Sequence, residues 1–169
     1  NLQPEIYASE QDRQVADEIA KQFPNGFVVC HNRHDPTQPY RNVPIAQWEK
    51  ILTELSQQTN LAILNVGSLD MDIYIDHPNS HDYRGRLSLQ ELKELIARAQ
   101  LFLGTDAGPL HIAATCSTPI VCFFTLAHHE TRKPLRQGNV SFIPVTPDIE
   151  CYGCVKDYPL AWGFECKRQ

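Results

Sequence analysis

Leu101-Phe102-Leu103-Gly104-Thr105-Asp106-Ala107-Gly108-Pro109-Leu110-His111 is the stretch that decides the fold. An apolar run with the length of a buried strand, Leu101 to Leu103, gives way to a turn of small residues, Thr105 to Pro109. A helix is expected to start there and to run through His111 to Thr115. Pro109 suits the first helical position, because the N–H it lacks has no partner there anyway. A helix N-terminus presents free N–H groups and a partial positive charge, which suits an anion. Ala107 and Gly108 keep side chains out of the way, so a phosphate can approach the backbone closely. His111 stands within the first turn and can point at the same ligand. In open α/β sheets ligands bind beyond the carboxyl ends of the strands, and this turn lies at one. The plainer alternative is that Asp106 only caps the helix and that His111 is a core histidine bonded to a backbone carbonyl.

Working outward, the same alternation repeats. Ser9 opens a helical pattern with Val15, Ile19 and Phe23 on one face, and Pro24-Asn25-Gly26 stops it. Phe27 to Cys30 reads as a buried strand, followed by a polar loop from His31 to Pro44. Ile45, Trp48, Ile51, Leu52 and Leu55 mark an amphipathic helix, and Leu61 to Val66 a second strand closed by Gly67. Ser68 to Arg86 reads as a long loop with a short strand near Tyr83. Ser88-Leu89-Gln90-Glu91 is a capping box that opens a helix through Ala99. Ile120 to Phe124 and Val140 to Val145 complete the strands. Strands alternating with helices of this size imply parallel β-α units, hence an α/β layered fold with a mostly parallel sheet flanked by helices.

The 169 residues, 42% hydrophobic and 21% charged, suit one globular domain over 1–169. The net charge of -5 leaves no basic footprint for nucleic acid or an anionic membrane. The longest apolar stretch, Pro119 to Ala127, is far short of the roughly 20 residues of a membrane span. No leader pattern is visible at the start. The chain opens on Asn1 rather than methionine, and is read as a processed product or a piece of something longer.

Asp82-Tyr83-Arg84-Gly85-Arg86-Leu87-Ser88-Leu89-Gln90-Glu91-Leu92, followed by the block Ala99 to Ala114, resembles the C-terminal half of the family 9 glycosyltransferases, the heptosyltransferases of lipopolysaccharide core assembly and their relatives. The resemblance continues through Thr118-Pro119-Ile120-Val121 and Cys151-Tyr152-Gly153-Cys154, and reaches back to Arg41-Asn42-Val43-Pro44 and Trp48. It implies a Rossmann-like domain that binds a nucleotide-sugar donor, ADP-heptose in the characterised branch, as the C-terminal half of a GT-B enzyme. Asp106 would bond sugar hydroxyls, Ala107 and Gly108 would offer N–H groups to phosphate, and His111 would lie beside the pyrophosphate. With Arg41, Gly67, Thr105 and Pro109 these make up the expected substrate site. Arg41 stands where the family usually has a lysine, and His31-Asn32-Arg33-His34 replaces the family's small-residue loop. No catalytic residue is expected in this chain, because the family's N-terminal domain supplies the acceptor site and the carboxylate base. The partners implied are the donor, that N-terminal domain, and a saccharide or lipid-linked saccharide acceptor. The implied location is cytoplasmic or peripheral at the inner membrane face. The rival reading is a degenerate, non-catalytic nucleotide-binding or interaction module.

Other signals are weaker. Asp70-Met71-Asp72 resembles an Asp-x-Asp signature, but it lies in an acidic loop and is read as solvated. His31, His34 and Asp35, and Asp76, His77, His81 and Asp82, lack the spacing of a metal site and read as loop polarity. Arg132 and Lys133, after His128-His129-Glu130, are lesser candidates for donor phosphates. Cys30, Cys116 and Cys122 read as small buried hydrophobes. Cys151, Cys154 and Cys166 have a metal-like or redox-like spacing, one ligand short of a closed tetrahedral site; free thiols are the main reading, a structural metal or a disulfide the lesser ones, and no cofactor is required.

Overall fold

Two apolar runs, each buried from both sides, sit at the centre of the molecule: β1 (Phe27–His31) and β4 (Leu101–Thr105). The computed structural model describes residues 4–136, 139–150 and 152–153. In these, β1 and β4 pair in parallel, with Val29 opposite Phe102. On its other edge Val29 stands opposite Leu64 of β2 (Ala62–Val66). With β3 (Ser80–Asp82), β5 (Ile120–Phe123) and β6 (Phe142–Val145) they form one six-stranded sheet in the order β3-β2-β1-β4-β5-β6, every pair parallel. The chain therefore builds outward to β3 in one direction, then returns to the centre and builds outward to β6 in the other. The reversal falls between β1 and β4, which is where a crevice opens beyond the strand ends.

Strand side chains alternate between faces, so the sheet carries two cores. Phe27, Val29, Leu64, Phe102, Ile120 and Cys122 face α1 (Glu10–Lys21), α3 (Leu89–Arg98) and α4 (Gly108–Ala114). Val28, Cys30, Ile63 and Leu103 face α2 (Ile45–Gln58), whose Trp48 and Leu52 are fully buried. Each such side chain taken from water contributes about 1.5–3 kcal/mol before the entropy of ordering it. Ser9 and Ser88 both close capping boxes, with Asp12 and Glu91 as reciprocal partners.

The fold is the parallel α/β layering expected from the alternation, with boundaries within a few residues. Three local expectations are corrected. The helix after β4 begins at Gly108, one residue before the Pro109 expected at its first position, because Pro109 is tolerated in a first turn that needs no N–H from it. The N-cap of that helix is Ala107, and no side chain caps it, so Asp106 does not serve as the cap. The loop from His31 to Pro44 contains a single 3-10 turn, Pro39–Arg41, and a four-residue helix α5 (His129–Arg132) follows β5. Among the described residues no helix is long and apolar enough to cross a membrane.

Candidate functional site

At the sheet's reversal point three segments converge. The first is the loop after β1. Asp35 is buried, and its backbone N–H donates to Asn42 Oδ1 (2.9 Å) while Asn42 Nδ2 donates back to the Asp35 carbonyl (3.0 Å). This reciprocal clamp closes the loop on itself and sets the 3-10 turn that carries Arg41. The Asp35 carboxylate also accepts from Thr37 and Arg33. These bonds, the one from Thr37 foremost, hold its pKa below the ordinary value against the opposing push of burial.

The second segment is the end of β4. Arg41 reaches across the crevice, and its Nη2 donates to the backbone oxygen of Asp106 (3.0 Å), with the Asp106 carboxylate 3.9 Å away. Burial, then the positive charges of Arg33 and Arg132, push the Arg41 pKa down, while Asp106 pulls it up; a guanidinium remains charged throughout. An open cleft lies here, lined by Arg41, Asp106, Phe123, Thr125, Leu126, Ala127 and Arg132.

The third segment is the loop after β2, where the expectation of a solvated Asp70-Met71-Asp72 is corrected. Asp70 is exposed, but the Asp72 side chain is only 8% exposed and lies 3.0 Å from His31 Nε2; the His31 side chain is 3% exposed. Asp72 Oδ2 also accepts the Ser68 N–H (2.7 Å). On the other ring nitrogen, His31 Nδ1 stands 3.4 Å from Thr105 Oγ1. A neutral ring that donates from Nε2 to Asp72 can accept at Nδ1 from the Thr105 hydroxyl. The chain Asp72–His31–Thr105 thus links the loop after β2 to the ends of β1 and β4. Burial acts to raise the Asp72 pKa, but the hydrogen bond from His31 and the Ser68 bond outweigh it and leave it below the ordinary range. His31 and Asp35, like Asp72, are therefore buried structural groups rather than loop polarity. The sequence signal for this was the placement of His31 at the end of an apolar run, where a strand would carry its side chain inward.

The expected site residues divide accordingly. Arg41, Thr105 and Asp106 come together. Ala107, Gly108 and Pro109 form the start of α4 beside them. A side chain at Gly108 would meet no protein atom within 4 Å, so nothing in the protein requires glycine there. Gly67 follows the last residue of β2 with φ +130, and a Cβ there would run into the Asp72 carboxylate. Its glycine has a packing reason, and Gly67→Ala is expected to destabilise the fold by more than 2 kcal/mol in urea melts, on the order of the summed strain and clash. His111 is exposed on α4 and is not among the residues lining the cleft. Asn42, Phe123, Thr125, Leu126 and Ala127 were not anticipated in site roles. Asn42 stood next to Arg41 in the quoted motif, but a clamp seven residues long leaves no periodic trace. Cys30 and Cys122 are buried thiols whose pKa burial pushes well up, so they are not reactive nucleophiles; Cys116 is half-buried, less than expected. Cys151, Cys154 and Cys166 lie outside the described residues.

The family model for glycosyltransferase family 9 (heptosyltransferase) matches residues 1–157. The chain belongs to this heptosyltransferase family. A curated family member, lipopolysaccharide heptosyltransferase 3 of Escherichia coli, is 30% identical over 95 residues, 56% of this chain and 27% of that protein. Among solved structures, the family 9 glycosyl transferase of Veillonella parvula DSM 2008 superposes with a TM-score of 0.69 at 16% identity, over 87% of this chain and 43% of that one. E. coli ADP-heptose lps heptosyltransferase II gives 0.62 at 15% identity, over 90% of this chain and 48% of that one. These likenesses show the same fold. The chain spans about a quarter of the curated heptosyltransferase and under half of each solved one.

Proposed function

We propose that this chain is the nucleotide-sugar-binding domain, over 1–169, of an inverting heptosyltransferase, with ADP-heptose as donor. The observation that carries the reading is Arg41 bonded across the sheet's reversal point to the Asp106 carbonyl, which sets a guanidinium beside the start of α4. The first N–H groups of a helix have no partner within it, and a diphosphate offers them acceptors. Arg41 can grip the same phosphates through its remaining N–H groups. Asp106 is left to bond sugar hydroxyls, with Thr105 behind it and His111 one turn along.

The chemistry is then displacement at the sugar's anomeric carbon. An acceptor hydroxyl, on a saccharide or lipid-linked saccharide, forms the new C–O bond as the bond to the diphosphate breaks. Its proton goes to a carboxylate base supplied by a second domain of the enzyme. The electron pair leaves on the nucleoside diphosphate, whose growing negative charge Arg41 and the α4 N–H groups stabilise. These groups supply the positive charge that the step needs from this side of the cleft, so the reading calls on no cofactor. This chain alone binds donor and transfers nothing.

Gly108 provides the test. A methyl group there meets only the open space that the diphosphate would fill. Gly108→Ala is expected to leave stability unchanged or raise it by up to about 1 kcal/mol, through reduced freedom of the unfolded chain. In calorimetric titration with ADP-heptose it should weaken binding at least about tenfold, the loss of one charge-assisted contact. A variant that folds as well and binds as well would place the donor elsewhere.

A further inference from the structure

We propose that Arg132 is a specificity residue that reads the second phosphate, so that the cleft prefers a nucleoside diphosphate to a monophosphate. The inference rests on the donor-site reading above and adds to it a residue outside the turn between β4 and α4.

Arg132 ends the short helix α5 and lines the same cleft as Arg41. The one carboxylate on α5, Glu130, is engaged by Lys133 and lies 3.2 Å from His129 Nε2. Among the described residues no carboxylate lies within ion-pair distance of Arg132. Arg33, for its part, is neutralised by Asp35 at 2.7 Å. The residues that line the cleft include two guanidiniums, Arg41 and Arg132, and one carboxylate, Asp106, so an uncompensated positive charge stands there in a chain whose net charge is -5. Arg41 and Arg132 repel each other there, and an anion between them removes that repulsion. Burial foremost, then Arg33, with Arg132 a smaller contributor, push the Arg41 pKa down.

The two arginines are not equivalent. Arg41 is fixed: its Nη2 is held by the Asp106 carbonyl, its Nη1 by Gln38 Oε1 at 3.3 Å, and its side chain is 27% exposed. It supplies a preset charge for whichever phosphate reaches the start of α4. Arg132 is exposed and carries no hydrogen bond among the described residues, so it can close onto a second phosphate when one is present. α5 itself is anchored. The His129 N–H donates to the Tyr152 hydroxyl at 2.8 Å, and the Glu130 N–H donates to His128 Nδ1 at 3.3 Å. Phe123, Leu126 and Ala127 add an apolar wall, which lowers local screening and strengthens a guanidinium–phosphate pair.

The experiment is calorimetric titration of this chain, and of Arg132→Gln and Arg132→Lys, with ADP and with AMP. For the unmodified chain ADP is expected to bind about tenfold more tightly than AMP. In Arg132→Gln the ADP affinity should fall to the AMP level, with AMP itself weakened less than about twofold. Arg132→Lys, which keeps the charge and loses the fork, should recover part of the preference. Because Arg132 is exposed, all three proteins should melt together. An Arg132→Gln protein that keeps the full ADP-over-AMP preference overturns this inference and leaves the donor-site reading standing. If the unmodified chain binds neither nucleotide at millimolar concentration, the donor-site reading fails and this inference with it.

Discussion

Arg41→Ala should cost this chain roughly thirtyfold in affinity for ADP-heptose, the equivalent of about 2 kcal/mol for a hydrogen-bonded charge. The size of the loss follows from the position of the residue. Its guanidinium is held at the reversal point of the sheet by the Asp106 carbonyl, so little side-chain freedom remains to be lost when an anion arrives. The same substitution should change stability by less than about 1 kcal/mol, because the ion pair with Asp106 is long and partly solvated. Arg41→Lys keeps the positive charge that Arg41→Ala removes and should recover much of the affinity, without the bond to the Asp106 carbonyl. Titration and urea unfolding of the same three proteins separate the two effects. Equal affinities for the unmodified chain and Arg41→Ala would remove Arg41 from the site.

His31→Ala carries the largest expected effect on the fold. It leaves the Asp72 carboxylate buried beside Gly67 with only the Ser68 bond, and it opens a gap under Thr105. Breaking a buried pair from one side costs about 3–5 kcal/mol, and His31→Ala should fall near the lower figure because a backbone N–H still serves the carboxylate. The pH dependence has a definite sign. The Asp72 pKa is depressed in the folded protein, so its contribution is present above the unfolded carboxylate value, about 3.9, and is lost as pH falls through the folded value. The stability gap between the two proteins should therefore be full at neutral pH and should narrow on acidification below about pH 4. Urea unfolding at several pH values measures it. A gap under about 0.5 kcal/mol at pH 7 would mean that the pair is incidental.

The layering and much of the sheet could be read from periodicity, because each buried strand here is a continuous apolar run and each main helix carries a face that an amphipathic pattern marks. Phe27 to Cys30 and Leu61 to Val66 were legible for that reason. The start of α4 differs by one residue because Gly108 is a poor helix former, and the packing of Leu110 and Ala113 against the sheet overrides that propensity. Helix α5 has too few residues to show a period. Arg41, Thr105 and Asp106 could be picked out through the resemblance to the family. The contact between Arg41 and Asp106 joins residues 65 apart and depends on which strands are neighbours in the sheet. The pair of His31 with Asp72 was missed for the same reason. A polar loop in sequence gives no sign that one of its acids folds back under a strand end.

The most direct test is to record amide chemical shifts of the chain by NMR while ADP-heptose is added, with Asp106→Ala alongside. The expected result is a saturable set of shifts centred on Arg41, Thr105 to Gly108 and Arg132, with the rest of the sheet nearly still, and no such set in Asp106→Ala. Shifts that cluster away from the β1–β4 reversal point, or a set that survives Asp106→Ala unchanged, would contradict the placement of the donor in this cleft.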